Sequence, residues 1–101
     1  MNKPRRLELR KLMRQINGAS NDESLNNCIN ILESILWDEQ NYYDNIPENL
    51  QYSQRAETSE EAINNMEESL EYLNEAINCD DKYEFMDYIR KAIDCIDNAM
   101  L

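Results

Sequence analysis

Histidine and valine are absent from this chain of 101 residues, glycine occurs once and proline twice. Each gap removes a class of protein. Without histidine the commonest general base and metal ligand is gone. A di-metal carboxylate bundle, which wants Glu-x-x-His on inward faces, goes with it. Scarce glycine and proline argue against a turn-rich β fold, and β-branched residues almost confined to isoleucine favour helix over strand. No Gly-rich phosphate loop, nucleophile elbow or zinc ligand set can be assembled from what remains. No apolar run approaches the roughly 20 residues of a membrane span, and the basic stretch from Met1 to Arg14 lacks the apolar run of a secretory signal. Cys28, Cys79 and Cys95 are odd in number and show no CxxC spacing, which suits small buried hydrophobes in a reducing cytosol. The expectation is a cytoplasmic, non-enzymatic protein that uses no cofactor or metal and has no membrane partner.

What is present reads as helix almost throughout. A first, basic helix is expected within residues 1–17, with Pro4 in its first turn and Asn17-Gly18 as a left-handed stop. Leu9, Leu12, Met13 and Ile16 share one of its faces. Ser20-Asn21-Asp22-Glu23 has the form of a capping box and opens a second helix over 21–46. Its stripe takes in Leu25, Cys28, Ile29, Leu32, Ile35, Leu36, Tyr42, Tyr43 and Ile46, with Trp37 and Tyr42 expected in the core and their polar tips at the rim. Pro47 ends it. Thr58-Ser59-Glu60-Glu61 reads as a second capping box, opening a helix over 58–78 that carries Ile63, Met66, Leu70, Leu73 and Ile77. Asp81 caps a last helix over 81–100, with Phe85, Met86, Ile89, Ile93, Ile96 and Met100 inward. Three long helices of similar length with seven-residue apolar spacing specify an all-α fold. It is one domain, an antiparallel three-to-four-helix bundle with coiled-coil-like packing. Ala62-Ile63, Ala76-Ile77 and Ala92-Ile93 echo one another, which reads as shared packing geometry.

Charge is distributed unevenly. Residues 1–17 hold six cations against Glu8 alone, a net of +5, while the remaining residues bring the whole chain to −11. On the third helix Glu57, Glu60, Glu61, Glu67, Glu68, Glu71 and Glu75 fall within about 120° of arc, with no cation among them. Like charges four residues apart, such as Glu67–Glu71 and Glu71–Glu75, destabilise a helix by about 0.2–0.5 kcal/mol each. A helix selected for stability alone would alternate signs. The face serves solubility, or it docks a basic partner. Carboxylates about 5–6 Å apart approximate the phosphate row of a nucleic-acid strand, so a protein that normally holds nucleic acid is the partner expected. The first helix shows the opposite anomaly: Arg6, Arg10 and Arg14 recur every four residues. Such a cluster is expected to dock on an acidic neighbour, either the third helix or a second copy of the chain in a homodimer; direct nucleic-acid binding is the alternative. Tyr43 and Tyr52, beside the connection after Pro47, are candidates for a contact patch.

The stretch Tyr42-Tyr43-Asp44-Asn45-Ile46-Pro47-Glu48-Asn49-Leu50-Gln51, followed by Ser53, Arg55, Ser59-Glu60-Glu61-Ala62-Ile63 and Leu70, resembles small uncharacterised proteins encoded by phages and integrated elements of Gram-positive gut bacteria. In those proteins DNIPENLQ-x-S-x-R precedes a long acidic helix. The likeness covers the middle half of the chain. It implies a phage-type accessory protein working inside the host bacterial cell, a group that includes inhibitors of host defence such as anti-CRISPRs; mimicry of DNA is what the carboxylate spacing of the third helix adds. A structural or self-assembling phage component is a further alternative.

Overall fold

In the computed structural model, which describes all residues from Met1 to Leu101, four α-helices account for most of the chain. They are α1 (Lys3–Asn17), α2 (Asp22–Asp44), α3 (Gln54–Ile77) and α4 (Lys82–Ala99), with one 3-10 turn at Glu48–Leu50. Arg5 near the start of α1 meets Glu39 near the end of α2, and Glu39 meets Ser59 near the start of α3. Ser69 meets Ala92, and Tyr72 lies beside Tyr88 one turn further along α3 and one turn back along α4. Every sequential pair is therefore antiparallel. α1 packs on α2 and α4, α2 on α3, and α3 most extensively on α4, so α1 and α3 occupy opposite corners of a rod measuring 48 × 20 × 18 Å.

The interior follows the heptad logic. Leu25, Cys28, Leu32 and Ile35 are buried on α2, Met66 and Leu73 on α3, and Leu9, Leu12 and Ile16 on α1. On α3 and α4 several buried residues are small: Ala62, Ser69 and Ala76 on α3, Ala92 and Ala99 on α4. Small side chains let two helix backbones approach, and the Ser69 hydroxyl donates to the Ala92 carbonyl at 2.8 Å. The paired alanines of the sequence echo all lie in this buried layer or at its edge.

Several boundaries differ from the sequence expectation, each for a local reason. α3 begins four residues before Thr58, because Ser53 is its cap and accepts from the Ala56 amide at 3.2 Å. Ser59 cannot cap, since its hydroxyl is buried and bonded to Glu39. α2 is capped by Asn21, which accepts from Ser24 at 2.8 Å, and it ends at Asp44. Gly18 has φ −94°, ψ −1°; it is right-handed, bonds back to the Arg14 carbonyl, and any residue could adopt its conformation. Trp37 is not in the core but 67% exposed, and Met86 is 57% exposed. Trp37 lies between the buried positions 35 and 39, which a 100° step turns to the outside. Leu70 and Tyr42 are half-buried.

Candidate functional site

All seven glutamates of the α3 arc, Glu57, Glu60, Glu61, Glu67, Glu68, Glu71 and Glu75, are exposed. The molecule contains three ion pairs, Arg5–Glu39, Arg90–Asp87 and Lys91–Asp87, and none uses an α3 glutamate. The one intramolecular side-chain partner on the arc is the Tyr72 hydroxyl, which donates to Glu68 at 3.4 Å. Desolvation and the adjacent Glu68 charge hold the Tyr72 phenol above its ordinary pKa, against the opposing pull of Lys91. The arc is thus a continuous carboxylate surface that its own chain leaves uncompensated. Tyr52 stands in the α2–α3 connection and is 94% exposed, whereas Tyr43 is half-buried in the last turn of α2.

The basic helix does not reach that surface. It sits against α2 and α4, on the corner opposite α3. Its apolar stripe, Leu9, Leu12 and Ile16, continues one turn back to Arg5, whose Nε donates to Glu39 Oε1 at 3.1 Å. Glu39 is completely buried. Its other oxygen accepts from the Ser59 hydroxyl at 2.7 Å, and the Arg5 guanidinium lies 5.4 Å from the centre of the Tyr42 ring. Three helices therefore meet on one carboxylate. Of the three arginines read as the docking row, Arg6 is drawn partly inward and its Nε is buried without a hydrogen-bond partner. Arg10 and Arg14 remain exposed.

Glu39, Arg5 and Ser59 were not visible as a group in the sequence. The signal was nevertheless there: Leu25, Leu32, Glu39 and Ile46 are seven residues apart, so Glu39 occupies a core position of the α2 stripe.

The remaining chemistry is sparse. No group of three or more Cys, Asp or Glu side chains is placed to hold a metal ion. Cys28 and Cys95 are buried, and burial pushes both thiols above the ordinary cysteine pKa. Both are mainly protonated near neutrality and are poor nucleophiles. At the end of the bundle where α4 begins, an open apolar groove of about 680 Å³ runs between α1 and α4. No helix is long and apolar enough to cross a membrane. No family model, curated protein or solved structure matches the chain.

Proposed function

We propose that this chain is a binding protein of the phage-accessory kind, whose α3 face occupies and blocks a Lys/Arg-rich surface on a protein that normally holds nucleic acid. The observation that carries the reading is that none of the seven exposed α3 glutamates has a cationic partner within the chain. A self-neutralising role for the basic helix had been the competing explanation of the charge asymmetry. That helix is engaged with Glu39 on α2 instead, so the carboxylate row stays available. A rigid helix presents such a row with its spacing preset, which lowers the entropy lost on binding. Long-range attraction to a basic groove makes association fast and sensitive to ionic strength.

The test changes Glu67, Glu68, Glu71 and Glu75 together to Gln, which keeps helix propensity and removes four charges. Immobilised wild-type protein should retain from a Gram-positive bacterial lysate a nucleic-acid-binding protein that duplex DNA elutes, while the fourfold variant should not. Equal retention by both proteins would reduce the α3 face to a solubility device. The nucleic-acid reading is kept as a second possibility by Lys3, Arg10, Lys11 and Arg14, which remain exposed on α1. A DNA retardation by the wild-type chain that is lost when these four are changed to Gln would favour it.

A further inference from the structure

α1 stops at Asn17, and the first turns of α4 are left facing an open groove. Its floor is apolar, with Ile16 and Ala19 from the end of α1 and Phe85, Ile89 and Ile93 from α4. The three α4 residues recur every four positions and are half-buried, while Met86 on the lip is 57% exposed. A stripe at that spacing along a cleft of about 680 Å³ has the shape that receives the apolar face of another helix. The rim is basic. Asn17 lines the groove, and Arg10 and Arg14 both fall within about 60° of it around α1 at 100° per residue. On α4, Lys82 precedes Met86 by one turn. All three cations are exposed and none is in an ion pair. The one acid in the lining, Asp87, is already neutralised by Arg90 and Lys91. The surroundings have the same sign, since α1 and α4 hold nine of the ten Lys and Arg residues against five acids.

We infer that the groove is a docking site for an amphipathic helix of a partner protein, one whose apolar face is flanked by Asp or Glu. Charge complementarity carries this choice of occupant. Apolar residues of the incoming helix at three- and four-residue spacing fill the floor. Its flanking carboxylates meet Arg10 and Arg14 on one rim and Lys82 on the other. A second copy presenting this same side would set cation against cation. A nucleic-acid backbone would satisfy the rim but leave Phe85, Ile89 and Ile93 wet. A flat lipid surface cannot reach residues sunk between two helices. The inference does not rest on the function proposed for α3, which occupies the corner opposite α1 and attracts the opposite sign of charge.

The probe is a synthetic helical peptide with Leu at alternating three- and four-residue spacing and Glu on both flanks. A scrambled peptide of the same composition is its control. Methyl NMR of the full chain reads the site directly, through Met86, Ile89 and Ile93. The amphipathic peptide should shift these methyls to saturation, and the scrambled one should not. Rising salt should weaken the binding, because the rim attracts through exposed charges. Met86→Glu lies at an exposed position and should leave circular dichroism unchanged. It should raise the dissociation constant about ten- to a hundredfold, since it buries a carboxylate against the apolar face of the peptide. Arg10→Gln with Arg14→Gln should weaken the same peptide and flatten its salt dependence. Methyls that stay in place at millimolar peptide overturn the inference, as does equal binding by the scrambled peptide or by the Met86→Glu chain. Duplex DNA or phosphatidylglycerol vesicles that move these methyls where the peptide does not would assign the groove to nucleic acid or lipid and overturn it likewise. So would shifts that grow with the concentration of the chain itself, which would assign the groove to a second copy.

Discussion

At one end of the bundle Arg5, Glu39, Ser59 and Tyr42 close over a charged group with water excluded; at the other, Tyr83 and Met86 leave an apolar groove open to solvent. Both ends are built on the same heptad stripes, yet each places the unexpected kind of residue where the stripe leads. Glu39 stands at a core position of α2, and the α4 stripe runs into solvent because α1 stops at Asn17 and leaves the first turns of α4 without a full partner. Polar groups inside are tolerated when every lone pair finds a donor, and here two donors from two different helices converge. Apolar groups outside are tolerated by a monomer only in modest patches. The buried end therefore specifies how the four helices align within one chain, and the open end bears on what the chain meets next.

The largest effect in this comparison comes from breaking the buried end. Glu39→Ala removes the partner of Arg5 and the acceptor of Ser59 together, and leaving one member of a buried ion pair costs about 3–5 kcal/mol. Urea unfolding should show the loss as a lower midpoint. Replacing Arg5 and Glu39 by Met and Ser59 by Ala in a single variant should recover most of it, because apolar groups of similar volume often substitute for a buried pair without penalty. A Glu39→Ala protein as stable as wild type would mean that the pair contributes nothing, and that α1 is held by Leu9, Leu12 and Ile16 alone.

The central layer separates two leucines that spacing alone treats alike. Leu73 is fully buried, whereas Leu70 is half-buried at the edge of the core. Leu73→Ala should cost about 2–5 kcal/mol, and Leu70→Ala should fall below that range because part of its surface already meets water. Equal midpoints for the two variants would place Leu70 in the seam after all and shift the register of α3 against α2.

That contrast also indicates where the sequence was legible. Helical class, four segments, antiparallel order and most of the α1 and α2 core follow from periodicity, because apolar spacing reports directly on which side of a helix is dry. Trp37 is outside because angular position, not size, decides which side of a helix a residue takes, and Ser59 is ambiguous because a serine before two glutamates looks the same as a cap and as a buried hydroxyl. Only the partner distinguishes the two, and Glu39 is 20 residues away in sequence. Pairings between helices carry no local signature, so the docking of α1 on α2 instead of α3 could not be read from charge alone. The exposed α3 arc was legible for the opposite reason: a surface defined by one helix needs no knowledge of its neighbours.

The smallest effect is at the open end. Asp87 accepts from Lys91 at 3.1 Å and from Arg90, and the Lys91 hydrogen bond, the Lys91 charge and the Arg90 contacts hold its carboxyl below the usual range against a smaller desolvation penalty. A carboxylate with a depressed native pKa contributes stability that is present above its unfolded pKa and lost as pH falls through the native value. Asp87→Asn should therefore lower stability slightly and evenly from pH 8 to pH 5, with the difference from wild type closing below about pH 4. Both partners of Asp87 are solvent-exposed, so added salt should shrink the same difference at neutral pH. The comparison of the two ends requires this loss to be far below that of Glu39→Ala. If the Asp87→Asn deficit persisted unchanged at pH 2.5, it could not arise from the charge. The substitution would then be acting through the shape of the α4 surface, and the open end would be more tightly organised than its exposure implies.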